Sequence, residues 1–233
     1  MKKLSANQLA KYMVSSETGK LGIIAEAKSD NTAMVIRYKD AREAIKVFLT
    51  DRKRDKKVIY AALEKFEQAT ADPSLSNFAR SDAASSIEAL QAFETLSNQI
   101  GGNEFFKAPK SQPKIALNGI IISITLDVII WREYRGEPQV GGALFRFTQA
   151  DGETDAAAAK RRDMSAYAAT LVHMQVANSF SDNAKAHHAI SYAVDVQFKE
   201  VIAAPKAYAR RVKDMENACR FIAAVWDSVE QSR

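Results

Sequence analysis

Two rhythms of apolar and polar positions divide this chain. Through most of the first hundred residues, apolar side chains recur at three- and four-residue steps, the period of an amphipathic helix. Ser5 followed by Gln8 is a capping-box pattern and predicts a short helix to about Val14. A second helix is expected from Glu17 to Lys28, with Leu21, Ile24 and Ala25 on one face, and Met34-Val35-Ile36 reads as a short extended piece. Asp40 is placed to cap a helix carrying Ala41, Ala44, Ile45 and Phe48. Thr50 to Lys57 is a charged connector. Val58, Ala61, Ala62, Leu63 and Phe66 form the next apolar stripe, which ends at Ala71-Asp72-Pro73 because proline disfavours helix at the residue before it. Ser81 is placed to cap a long helix with Ala84, Ile87, Leu90, Ala92, Phe93 and Leu96, stopped by Gly101-Gly102.

After residue 100 the rhythm changes. Gly101 to Lys114 has two Gly, two Pro and no period, so residues 101–113 read as a linker. Ile115, Ile120 to Ile130 and Val140 to Phe147 are apolar, β-branched runs of the strand type. Tyr134-Arg135-Gly136-Glu137-Pro138 is a turn joining two of them as an antiparallel hairpin. A helix is expected from Asp155 to Asn178. Ala189 to Val196 then reads as a strand with Val201-Ile202-Ala203 as its hairpin partner, and Pro205 opens the last helix. The expected fold is α+β: a helical N-terminal region (1–100), then a C-terminal mixed or antiparallel sheet flanked by helices (114–233). A dozen linker residues cannot hold the two far apart, so one compact unit is compatible with this order.

Composition changes this picture little. The 233 residues are 47% hydrophobic, ordinary for a folded protein, and one cysteine, Cys219, leaves no internal disulfide or Cys-based zinc site. That favours a reducing compartment, and Cys219 falls on a core-facing step of the last helix. Asn7, Gln8 and Lys11 interrupt any signal-peptide core after Lys2-Lys3. The most apolar stretch, Gly119 to Trp131, is too short to span a bilayer and reads as a buried strand. A cytoplasmic protein without a membrane segment is the expectation.

The formal net charge of +5 is mild, but the cations cluster. Arg52, Lys53, Arg54, Lys56 and Lys57 fall within six residues, Lys160-Arg161-Arg162 and Arg210-Arg211 lie on predicted helices, and such clusters can neutralise phosphates of DNA or RNA. A solvated connector is the plainer reading of the first cluster. Asp127, inside Ile124-Thr125-Leu126-Asp127-Val128-Ile129-Ile130, is costly to bury unless paired, hydrogen-bonded or metal-bound; the alternative is a strand end facing solvent. Asp195 raises the same question, and Gln197 and Lys199 make it read as a strand end soon reaching water. His187-His188 and the helical His173 lack ligating partners at helical spacing and read as structural or surface residues. Ser179 and Ser181 sit in no nucleophile elbow, and there is no Walker A or dinucleotide glycine motif.

Leu126-Asp127-Val128 lies in one strand, Gly136-Glu137-Pro138 in a turn, Gly142-Ala143-Leu144-Phe145-Arg146-Phe147 in a second strand, and Asp163-Met164-Ser165-Ala166-Tyr167 on the next helix. This order resembles the core of the PD-(D/E)XK nuclease superfamily, in its RecB-like exonuclease branch. The resemblance implies Mg²⁺ held by Asp127 with Asp195, or with a helical Glu such as Glu88 or Glu94. It implies catalytic places for Asp127, Arg146 and Tyr167. Three positions depart from it: Leu144 stands where an acid is expected, Arg146 where lysine is usual, and Asp163 where glutamine is usual. Arginine stays charged and is a poor proton acceptor.

The leading expectation is therefore a nucleic-acid-associated binding or assembly protein with a catalytically incomplete nuclease-like core, in a setting of bacterial defence or a mobile element. The alternatives are an active Mg²⁺-dependent nuclease using Asp127, and a protein–protein interaction module docking through Phe105-Phe106.

Overall fold

The computed structural model describes residues 1–29, 37–147 and 154–230; the expected extended piece at 34–36 lies outside them. In chain order the elements are β1 (Lys3–Ser5), α1 (Ala6–Met13), α2 (Glu17–Lys28), α3 (Lys39–Thr50), α4 (Lys57–Ala71) and α5 (Asn77–Leu96), followed by a 3₁₀ turn at Ser97–Ile100. Then come β2 (Glu104–Lys107), β3 (Ile115–Leu117), β4 (Ile120–Ser123), β5 (Val128–Tyr134), β6 (Glu137–Arg146), α6 (Asp155–Ser179), β7 (Lys185–Asp195), β8 (Glu200–Ala203) and α7 (Tyr208–Val225). The fold is α+β.

The capping box at Ser5 forms as its residues dictate: the Ser5 hydroxyl accepts the Gln8 N–H, and the Gln8 side chain accepts the Ser5 N–H. Two expected caps move. Asp40 lies inside the first turn of α3 and pairs with Lys65 at 2.8 Å, while the helix opens at Tyr38 in the left-handed region (φ 61°). α5 is capped by Ser76, not Ser81, because no helix breaker stands between Pro73 and Ser81. Pro205 does not open α7 but forms a turn before it, its carbonyl accepting the Tyr208 N–H.

A five-stranded sheet in the order β2-β5-β6-β7-β8 forms the centre. β2, β5 and β6 run antiparallel in turn, the β5–β6 hairpin turning at Arg135 and Gly136, both at positive φ. β6 and β7 are parallel, joined by the α6 crossover, and β8 returns antiparallel. A second sheet, β1-β4-β3, pairs the N-terminal strand parallel to β4.

The expected linker needs correction, and the helical N-terminal region also carries one short strand. Residues 101–113 contain β2, an edge strand of the central sheet, and residues 3–5 form a strand. The apolar run from Ile120 to Ile130 is two strands in two different sheets. Neither core belongs to one half of the sequence. On one face of the central sheet, Phe48, Leu90 and Phe93 of α3 and α5 pack with Val128, Ala143, Phe145 and Val194. On the other, Leu4, Leu9 and Ile24 join Leu144, Leu171, Ala193, Cys219 and Trp226.

β6 is buried along its length from Gln139 onward, the mark of a central strand. Opposite Gly141, β7 has four residues, His187 to Ile190, where regular pairing would allow one. Glycine is required there, because a Cβ would overlap the carbonyl oxygen of Ile190.

Candidate functional site

Asp127 stands at the break that separates β4 from β5. At this break the side-chain amide of Gln112 bonds both the N–H and the C=O of Leu126, as a neighbouring strand would. β5 pairs with β6 only from Val128 opposite Ala143, so Phe145 lies just past the end of that pairing. Its backbone groups are satisfied by side chains instead. The Asp127 carboxylate accepts the Phe145 N–H at 2.7 Å, and Arg42 of α3 donates to the Phe145 carbonyl at 3.1 Å. The same guanidinium lies 3.2 Å from both carboxylate oxygens of Asp127. Three oxygens thus converge on one resident cation, Arg42. Burial pushes the Asp127 carboxyl up, against the pull of Arg42, the Phe145 N–H and Lys46. Phe147 lies under the Arg42 guanidinium at 5.1 Å and stacks on Tyr38.

Arg146 and Asp195 are register partners on β6 and β7, with side chains on the α6 face. Asp195 does not reach water: it is 1% exposed and Arg146 2%. The guanidinium donates to the Ser165 hydroxyl of α6 at 2.6 Å and stands 3.9 Å from the Asp195 carboxylate, while its Nε has no hydrogen-bond partner among the described residues. Burial lowers the Arg146 pKa, opposed by Asp195. Leu144, at the expected acid position, is buried.

The sequence-derived residues therefore do not assemble as one set. Asp127 and Asp195, expected as shared metal ligands, each face their own arginine. Tyr167 lies elsewhere, its ring under the Arg211 guanidinium at 4.4 Å, beside a pocket of about 360 Å³ that includes Asp163, Arg210 and Asp214. Glu94 pairs with Lys56 and Glu88 is exposed on α5. Among the described residues, no three His, Cys, Asp or Glu side chains are grouped to hold a metal ion. Nothing in Asp40-Ala41-Arg42-Glu43 separates Arg42 from a solvated helix position, so its sequence carries no signal of this role.

The basic clusters occupy two places at opposite edges of the central sheet. Arg52 to Lys57 form the α3–α4 connector beside β2. There Arg54 donates to the Asn103 carbonyl and covers the Phe105 ring, while Lys56 pairs with Glu94 and Lys57 with Asp55. Arg52 and Lys53 are exposed. Near them Phe105 is buried and Phe106 is 45% exposed. At the β8 edge, clusters 160–162 and 210–211 meet: Arg211 pairs with Asp163 of α6 at 2.8 Å, Arg162 pairs with Glu200 of β8, and Arg161 covers the Phe198 ring at 3.8 Å. Lys160, Arg162 and Arg210 are exposed.

Cys219 is buried, and burial pushes its thiol up to about 12, which makes it inert at neutral pH. The three histidines, read separately from sequence, lie together around the β7 bulge. Among the described residues, no helix is long and apolar enough to cross a membrane. No protein-family model matches this chain, and no curated protein matches its sequence.

Proposed function

We propose that this protein binds nucleic acid as a non-cleaving or assembly component, through a nuclease-like core whose catalytic positions serve structure. One observation carries the reading: Arg42 holds the Asp127 carboxylate, the group from which metal-dependent cleavage would start. The strand, hairpin, strand and helix order at β5, β6 and α6 supports the nuclease-like core. The joined α6–α7 face supports the binding role, because its exposed Lys160, Arg162 and Arg210 lie beside Arg161 and Arg211, whose guanidinium groups lie over aromatic rings. A reducing compartment fits the single, buried Cys219.

The test is binding of duplex and single-stranded DNA oligonucleotides, read by fluorescence anisotropy across a salt series. Binding should weaken with salt, and Lys160→Ala/Arg210→Ala should reduce the logarithmic slope by about 2 on duplex. Absence of binding at about 50 mM salt, or binding without a salt slope, would sink the proposal. One observation favours a protein partner instead: Phe106 is exposed on the edge strand β2, beside a pocket of about 570 Å³. Phe106→Ala, leaving the core residue Phe105 in place, is the substitution that tests that surface in pulldown.

A further inference from the structure

The chain has three histidines, and all three meet at one junction. His187 and His188 lie in the four-residue bulge of β7 opposite Gly141, with their rings stacked at 4.8 Å. His173 of α6 is buried and meets Tyr208, the first residue of α7, edge-on at 4.5 Å; the Tyr208 ring is 6.4 Å from that of His188. The Ser191 hydroxyl stands 3.5 Å from His173 Nδ1 and donates to the His187 carbonyl. These contacts tie α6, β7 and α7 together where β7 departs from regular pairing.

Hydrogen bonding sets the proton positions. His187 Nδ1 accepts the Ala189 N–H at 3.2 Å, and a guanidinium nitrogen of Arg132, on β5, stands 3.4 Å from the same atom. Both neighbours are donors, so this nitrogen carries a lone pair and His187 is neutral, protonated at Nε2. His188 Nδ1 lies 3.0 Å from the Ala204 carbonyl, which can only accept, so His188 carries its proton at Nδ1. A second proton on His187 must therefore enter between two donors.

The surrounding charges oppose that proton. Burial comes first, then His188, Arg132 and Lys185, and together they hold His187 below the ordinary histidine range. Burial, His188 and His187 do the same to His173. Tyr208 is the titratable group facing the cluster from α7, and among the described residues the groups that shift the two histidines are cationic or histidine side chains.

We propose that this cluster is a proton-operated release of the β7 bulge. Protonation of His187 at Nδ1 breaks the Ala189 N–H bond, sets an imidazolium against Arg132, and frees residues 187–190 from β6 and from the start of α7. The sign follows from the lowered values. The contribution of these histidines to stability is complete above their ordinary pKa of 6.5 and is lost as pH falls below it, toward the folded values. The device does not depend on what binds the α6–α7 face.

The experiment is amide hydrogen exchange of the full chain by NMR, with the histidine ring protons titrated in the same samples. Between about pH 7.5 and about pH 5, protection of the Ala189 amide, corrected for intrinsic exchange, should fall at least about tenfold while Val194 stays protected. His187→Asn places an amide oxygen where Nδ1 stood and should keep Ala189 protected across the range. Wild-type Ala189 protection that stays flat, or a His187 ring titrating at or above 6.5, would overturn the proposal. So would equal loss of protection in His187→Asn. Should that variant fail to fold, the wild-type exchange and ring titration decide alone.

Discussion

Asp127 and Asp195 are both buried carboxylates facing an arginine, yet they are held in different ways. Arg42 is one-third exposed and meets Asp127 through bonds to both oxygens, with the Phe145 N–H as a further donor. Arg146 is sealed inside the core, stands 3.9 Å from Asp195, and makes its closest bond to the Ser165 hydroxyl. The first pair staples a helix to the open end of a strand ladder. The second lies between neighbouring strands under α6. Water can reach one arginine and not the other. The contrast teaches that the cost of breaking each pair should follow the charge left behind rather than the quality of the hydrogen bonds.

The largest expected effect follows from the sealed pair. Asp195→Ala strands a guanidinium without its countercharge and should cost about 3–5 kcal/mol in urea unfolding, whereas Arg146→Met/Asp195→Leu together should recover most of that loss. Equal damage from single and double changes would show that packing, not charge, governs the site. A smaller loss is expected at the staple. Arg42→Ala should cost about 1–3 kcal/mol, because the charge left behind is the Asp127 carboxyl, which burial already favours in its neutral form and which can take up a proton, whereas a stranded guanidinium cannot shed one. Arg42→Lys should fall between, retaining charge but not the two-pronged geometry. The smallest effect belongs to the surface: Arg162→Ala removes the exposed pair with Glu200 and should change stability by about 0–1 kcal/mol. An Arg162→Ala cost matching that of Arg42→Ala would erase the distinction between buried and exposed pairs.

Much of this fold was legible in the residues. The Ser5–Gln8 box, the Gly136 hairpin, the long α6 and the β7–β8 pair follow from local signals that tertiary structure reinforces. β1 and β2 escaped because they have three and four residues, and β2 is flanked by the glycines and prolines that mark a loop. Their order comes from partners far along the chain, β4 for one and β5 for the other. The site divides in the same way. Asp127 stood out because a carboxylate in an apolar run needs a reason. Its partner Arg42 lies 85 residues away on an ordinary helix turn. The histidines stayed hidden because ligand spacing is a rule for one element, and these three come from a helix and a strand bulge, with Tyr208 from a second helix.

The claim that Asp127 is committed to Arg42 rather than to a metal has a direct test, a double-mutant cycle of Arg42→Ala and Asp127→Ala in urea unfolding, run in EDTA and again in Mg²⁺. The coupling should be about 1–3 kcal/mol and the same in both, with a wild-type midpoint that Mg²⁺ does not raise. Absence of coupling, or a wild-type midpoint raised by Mg²⁺ and no longer raised once Asp127 is replaced, would contradict it.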